Sequence, residues 1–369
     1  MKLVIFIASL ECGGAERTAA NLANYWNEKG WSISLVTIGP ICSDFYKLDA
    51  RINRISLRIR PGKSSKLAEL WLNIKIVIAL RRVLKKILPD IALSMMISSN
   101  VHLAIATIGT KILSVGSEHF HPPNCPSGPI WEVLRRYSYF ILGAVTTLTH
   151  DTAKWLEANT YVRHVSVICN PNIWPLPLQS PILPISSICS LERKVLLAVG
   201  RLSSEKGFDL LISAFDVICH DYPDWDLVIL GEGSLRSVLN HQIQDSCLDG
   251  RVFLPGNAGN IGEWYERADL YVMSSRFEGF GNVLVEALSY GLPVVSFDCD
   301  TGPRNIIRHG IDGLLVEHND FNALALAIAR LMGNATLRQQ FSINAVEARD
   351  RFSIEKIARL WDTLFKGLG

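Results

Sequence analysis

Phe277-Glu278-Gly279-Phe280-Gly281-Asn282-Val283-Leu284-Val285-Glu286-Ala287-Leu288-Ser289-Tyr290-Gly291-Leu292-Pro293-Val294-Val295 is the stretch whose reading decides the fold. An apolar strand ends near Ser275 and a glycine-rich turn follows. A helix begins near Asn282 and closes at Gly291, and Pro293 leads into another strand. Gly279 and Gly281 permit backbone angles and a ligand approach that a Cβ would obstruct. The first-turn amides of Asn282, Val283 and Leu284 are expected to point out of the helix N-terminus, a ready anion site. Glu278 precedes the turn and Glu286 lies inside the helix. Two carboxylates flanking an anion site suit a ligand with phosphate in its middle and hydroxyls at both ends. A nucleotide sugar is such a ligand.

Outward from this stretch, short apolar runs alternate with helical patterns along almost the whole chain. Strands are expected at 3–8, 32–38, 91–96, 112–115, 144–148 and 165–169, and again at 195–200, 227–230, 252–254, 270–273, 294–297 and 314–316. Buried strands alternating with helices predict parallel sheets covered on both faces, an α/β architecture. Between the two series Pro171, Pro175, Pro177, Pro181 and Pro184 crowd one segment, which proline keeps from continuing as helix or central strand. The expected layout is a doubly wound domain at 1–170, a linker at 171–194 and a second such domain at 195–350. A C-terminal helix at 351–369 would cross back to the first, and the two domains would face a cleft.

Composition agrees with two large cores. Of 369 residues 49% are hydrophobic and only 20% charged, which excludes a disordered chain. The net charge of +2 gives no support to nucleic-acid binding. The charge is uneven, however: residues 1–170 hold 20 Lys and Arg against 11 Asp and Glu, and the remainder 17 against 24. The N-terminal half should therefore favour an anionic partner. The run Leu3–Leu10 is too short for a signal peptide core, and no stretch supplies the ~18–20 apolar residues that span a bilayer. The eight cysteines make no Cys-x-x-Cys pair and read as scattered small core residues in a reducing compartment.

A second loop shares the phosphate logic. Gly200-Arg201-Leu202-Ser203-Ser204-Glu205-Lys206-Gly207 follows the strand Val195–Val199, and its Arg201 and Lys206 are placed to reach a diphosphate. Together, Glu-x7-Glu and this loop resemble the signatures of retaining glycosyltransferases of family 4, which have the GT-B fold. Gly13-Gly14-Ala15-Glu16 is similar to the family's N-terminal glycine loop, and the third glycine of a dinucleotide fingerprint is absent. Leu230-Gly231-Glu232-Gly233, Thr301-Gly302-Pro303-Arg304 and Gly310–Val316 extend the resemblance over nearly the whole chain. Asn305 stands where many members carry Glu, so no role is assigned there.

The resemblance implies a metal-independent transferase that moves a hexosyl or N-acetylhexosaminyl group from a nucleoside-diphosphate sugar, by family habit a UDP-sugar. Arg201, Lys206, Gly14, Gly281 and the amides of 282–284 would hold the diphosphate. Glu278 would position the sugar and Glu286 bind the ribose. His119, in Ser117-Glu118-His119-Phe120-His121 after a strand, would approach the sugar and acceptor. No cofactor is expected. The pairs Asp224/Asp226 and Asp298/Asp300 look like metal ligands of the other large glycosyltransferase fold, but the first lies in a turn and the second in a loop explained without metal.

In Lys66–Leu88, Leu72, Ile76, Leu80, Val83, Leu84 and Ile87 share one helical face, while Lys75, Arg82 and Lys86 fall within ~40° on the other side, with Arg81 and Lys85 beside them. Such a helix is an ordinary solvated surface or touches anionic lipid or a lipid-linked diphosphate. The family's polyprenyl-diphosphate oligosaccharide transferases use a similar one. The favoured acceptor is thus a lipid-linked oligosaccharide or growing surface polysaccharide, with the protein peripheral on the cytoplasmic face of the inner membrane. The rival readings are an epimerase of the same architecture and a non-catalytic nucleotide-sugar or lipid-binding protein.

Overall fold

A computed structural model describes residues 1–59 and 65–368. Gly369, the last residue expected in the C-terminal helix, lies outside the described residues. The chain divides into two compact units, Met1–Pro171 with Ile354–Gly369, and Asn172–Ser353.

The first unit holds β1 (Lys2–Ile7), β2 (Ser32–Thr37), β3 (Asn53–Ser56), β4 (Ile91–Met95), β5 (Leu113–Glu118), β6 (Ala144–Thr147) and β7 (Val165–Val167), in the order β3-β2-β1-β4-β5-β6-β7. Every pairing is parallel. Both faces are apolar, as helices on both sides demand. Leu3, Ile5 and Ile7 of β1 join one core, and Val4 and Phe6 the other. The helix Ile354–Leu368 closes the first of these cores with Ile357, Trp361 and Phe365 against Trp26. The Trp26 indole also donates to Asp362 at 3.1 Å. Sequence reading missed β3, whose Asn-Arg-Ile-Ser shows no apolar run. It is an edge strand held by Arg54, which pairs with Asp44 at 2.7 Å.

The second unit holds β8 (Lys194–Val199), β9 (Trp225–Leu230), β10 (Val252–Gly256), β11 (Leu270–Met273), β12 (Val294–Phe297) and β13 (Gly313–Val316), in the order β10-β9-β8-β11-β12-β13. Its order reverses between β8 and β11, which pair directly. In open α/β sheets ligands bind beyond the carboxyl ends of strands at such a switch point. The two loops singled out in the sequence leave β8 and β11, so topology alone brings them together. The proline-rich stretch is strapped to this unit. Gln179 N donates to Gly259 O at 3.0 Å, Leu183 N to Asn260 Oδ1 at 2.9 Å, and Leu176 N to the Tyr290 hydroxyl at 2.9 Å.

The cysteines depart from expectation. Cys189, Cys219 and Cys299 are buried, whereas Cys12, Cys42, Cys125 and Cys247 are exposed, and all eight are free thiols.

Candidate active site

The loop after β8 is fixed by close backbone packing. Gly207 has φ +60°, and a Cβ there would fall 2.1 Å from the Ser274 carbonyl oxygen, so glycine is needed both for conformation and for space. The contact locks the loop 200–207 against the end of β11. Its consequence is the ion pair Lys206 Nζ to Glu278 Oε1 at 2.6 Å, with the Glu278 side chain only 10% exposed. Ser275 Oγ donates to the same carboxylate oxygen at 2.7 Å. The Thr301 hydroxyl, from the loop after β12, donates to the Glu278 carbonyl. Glu278 is thus held from three strand ends. Arg201 behaves differently: its side chain is 69% exposed, and it lies 3.9 Å from Glu205 at the open rim.

The helix Asn282–Ser289 starts from Gly281 at φ +105°, a left-handed conformation suited to glycine, with no side-chain cap. One expectation is corrected here. The Leu284 amide donates to the Gly281 carbonyl at 2.9 Å, so it is part of the first turn and is not presented outward. Helix geometry leaves the amides of Asn282 and Val283 at the end. Glu286 is 2% exposed beneath that end, where the Tyr265 hydroxyl donates to its Oε2 at 3.1 Å. Both glutamates act on one buried phenol. Burial, and then the charges of Glu286 and Glu278, push the Tyr271 hydroxyl well above its ordinary pKa. Burial, and then Glu278, push the Cys299 thiol up to about 12. The aspartate pairs are engaged by cations: Asp298 by Arg304 at 2.8 Å, Asp224 by Lys194 at 2.7 Å and Asp226 by Arg193 at 2.7 Å.

In the first unit, Gly14 opens the helix Gly14–Glu28 at the end of the loop from β1, and the Tyr46 hydroxyl fastens that loop by donating to Gly13 O at 2.9 Å. His119 follows β5 and is 6% exposed, with its Nε2 3.2 Å from Ser117 Oγ. Burial lowers its pKa to about 4, so the ring is neutral at ordinary pH. Its neighbour Glu118 is wholly buried and raised by burial, with Arg135 3.5 Å away and the Tyr139 hydroxyl donating to it.

On the helix Lys66–Ile87 the expected stripe is right: Ile76, Leu80 and Leu84 are in the core. Lys75, Arg82 and Lys86 are exposed. Arg81 turns away from them to donate to the carbonyls of Ala106 and Ile108. The outer face also carries Leu67, Leu70, Trp71, Ile74 and Ile78, all exposed, which the sequence reading passed over. Among the described residues, no helix is long and apolar enough to cross a membrane. The other groups that sequence reasoning missed are the hydroxyls of Ser275, Thr301 and Tyr265. They come from separate strand ends and helices, and no spacing in the chain marks them.

Two doubly wound parallel units, with a lysine–glutamate pair and a helix N-terminus at the switch point of the second, define a glycosyltransferase of GT-B type. The chain belongs to the family 4 glycosyltransferases: residues 12–171 match Glycosyltransferase Family 4, and residues 187–348 match Glycosyl transferases group 1. It is 27% identical to an uncharacterized glycosyltransferase of Haemophilus influenzae over 98% of each chain. It is 29% identical to the Campylobacter jejuni enzyme named GalNAc-alpha-(1->4)-GalNAc-alpha-(1->3)-diNAcBac-PP-undecaprenol alpha-1,4-N-acetyl-D-galactosaminyltransferase, over 98% of this chain and 97% of that one. Among solved structures, sucrose-phosphate synthase of Thermosynechococcus elongatus has the same fold, with a TM-score of 0.83 at 19% identity, covering 100% of this chain and 99% of that one.

Proposed function

We propose that the protein is a retaining, metal-independent transferase. It moves a hexosyl or N-acetylhexosaminyl group from a nucleoside-diphosphate sugar, with UDP as the carrier, to a lipid-linked oligosaccharide or surface polysaccharide. The observation that carries this reading is the Lys206–Glu278 pair at 2.6 Å beside the N-terminus of Asn282–Ser289. An arriving diphosphate offers Lys206 a second anion and Arg201 a closer one than Glu205. Glu278, still fastened by Ser275, then turns its free oxygen to the sugar hydroxyls. Glu286 takes the ribose.

The C1–O bond to the β-phosphate breaks as the acceptor oxygen bonds C1 on the same face. The acceptor's proton passes to the departing phosphate. Lys206, Arg201 and the helix amides stabilise the negative charge that grows there, the work a metal ion does in other transferases. Gly14 and His119 belong to the sugar and acceptor side. The lipid-linked acceptor rests on the name of the Campylobacter relative. Peripheral attachment to the cytoplasmic face rests on Lys75, Arg82 and Lys86 beside exposed Trp71 and Ile74.

The test is nucleoside-diphosphate release across a donor panel, with the anomer of the product read by NMR and the assay repeated in excess EDTA. Glu278→Gln should chiefly lower kcat, because its contact is to the reacting sugar. Glu286→Gln should chiefly raise donor KM, because a ribose contact is equal in ground and transition states. Inversion at C1, or loss of activity in EDTA restored by Mn²⁺, would overturn the mechanism.

A further inference from the structure

His119 is set in a chain of hydroxyls whose protons can be followed one by one. Thr146 Oγ1, on β6, donates to Ser117 Oγ, on β5, at 2.9 Å. Ser117 Oγ in turn lies 3.2 Å from His119 Nε2. A serine hydroxyl has one proton to give. With Thr146 donating into it, the acceptor in reach of that proton is Nε2, and an Nε2 that takes it holds a lone pair. In a neutral imidazole the remaining hydrogen is on Nδ1.

Ser117 has little freedom to rearrange. Its amide donates to Asn100 Oδ1 at 3.2 Å and its carbonyl accepts from Asn100 Nδ2 at 3.1 Å. Asn100 is itself pinned, with Ser94 Oγ donating to its Oδ1 at 2.7 Å. The other end of the chain is open in a chemical sense: His119 Nδ1 is buried and has no hydrogen-bond partner. A buried donor without an acceptor is costly, and what satisfies it is an oxygen lone pair.

We propose that Ser117 and Thr146 are positioning residues that lock His119 in the Nδ1–H tautomer and so make it a fixed hydrogen-bond donor to an oxygen of the carbohydrate substrate. The identity of that oxygen rests on the transferase reading; the tautomer does not. In this tautomer the Nε2 lone pair is taken by Ser117 and Nδ1 carries the proton, so His119 does not act as a general base.

The experiment is long-range ¹H–¹⁵N correlation on histidine-labelled protein, with His119 assigned by its loss in His119→Asn. The wild type should show a protonated Nδ1 and an unprotonated Nε2. Ser117→Ala and Thr146→Val should each shift the ring toward Nε2–H, and Ser117→Thr should restore the wild-type pattern. If Ser117→Ala does not fold, Thr146→Val carries the same test with a nearly isosteric side chain. A protonated Nε2 in the wild type, or a tautomer unmoved by both variants, overturns the proposal.

Kinetics provide a second readout. The carboxamide nitrogen of asparagine overlays Nδ1 and that of glutamine overlays Nε2. His119→Asn should therefore retain about tenfold more kcat/KM than His119→Gln, the worth of one neutral hydrogen bond. The reverse order overturns the donor role. If no donor in the panel supports transfer while the tautomer responds as expected, it is the transferase reading that falls and the positioning role that stands.

Discussion

The two units share a topology and solve the same problem at their strand ends with opposite electrostatics. Around the switch point of the second unit the side chains are charged and paired: Lys206 with Glu278 at 2.6 Å, Arg276 with Asp209 at 2.6 Å, and Arg304 with Asp298 at 2.8 Å. At the end of β5 in the first unit, His119, Ser117, Thr146 and Asn100 are buried and uncharged. The ion pairs there centre on Arg135, which is buried with Glu118 3.5 Å away and is also paired with Glu132. A rim of half-exposed charges meets an anion at low reorganisation cost. A desolvated set of fixed dipoles suits a neutral, hydroxyl-rich ligand. The difference teaches that one topology can present a charge-handling strand end in one unit and a hydroxyl-handling strand end in the other.

The largest expected effect tests that division directly. Lys206→Ala should lower kcat by ~10²–10³, as loss of a preorganised charge-stabilising donor does. His119→Ala removes a neutral hydrogen bond and should cost about tenfold. Arg201→Ala should resemble Lys206→Ala in direction, with little change in Tm because its side chain is largely solvated. Steady-state rates for the three purified variants decide the matter. A His119 effect larger than the Lys206 effect breaks the comparison.

What was legible in the sequence follows the same line. Strand-end motifs survive reading because backbone constraints mark them: Gly207 must leave room for the Ser274 carbonyl, and Gly281 must take a positive φ. Buried strands are likewise visible as apolar runs. The edge strand β3 is not, since a strand with one apolar residue in four carries no period. The partners that tune the site were invisible for a different reason. Ser275, Thr301 and Tyr265 reach the glutamates from separate elements, and Thr146 reaches Ser117 from across a sheet. Hydroxyls acquire a role only once topology makes them neighbours. The amide of Leu284 was misread because a tight first turn consumed it.

The second prediction extends the contrast to the outer surfaces. The basic excess belongs to residues 1–170, where Lys75, Arg82 and Lys86 border Leu70, Trp71 and Ile74. If this half carries membrane attachment, each cation contributes ~1 kcal/mol at an anionic surface. Replacing all three by Gln should weaken binding to phosphatidylglycerol vesicles by roughly a hundredfold, and binding of the wild type should fall with salt. Donor KM should not move. Equal binding by the triple variant would assign the exposed helix face to solvent and confine the comparison to the strand ends.

The last contrast is the response of the two units to acid. Burial lowers the pKa of both His102 and His119 to about 4, against 6.5 in an unfolded chain. Above pH 6.5 each ring is neutral in both states, and the stability of the fold is complete. As pH falls through 6.5 the unfolded chain takes up protons that the native rings refuse, so stability is lost progressively until about pH 4. By pH 5 each ring accounts for about 2 kcal/mol. Glu118 acts in the other direction: burial raises its pKa, so protonation at falling pH favours the folded state and offsets part of the loss.

Asp209 in the second unit shows the opposite behaviour. The Arg276 hydrogen bonds hold its pKa below 3.8, so its contribution persists through this window and is lost only below it. Amide hydrogen exchange between pH 6.5 and 4.5, corrected for the intrinsic rate, should therefore show opening around β4 and β5 rise by roughly 30-fold for each ring, about 2 kcal/mol apiece before the Glu118 offset. Opening of β8 and β11 should stay flat. Equal acid sensitivity in the two sheets would mean that the His102 and His119 rings are charged in the native state, and the neutral, hydroxyl-handling character of the first unit would go with them.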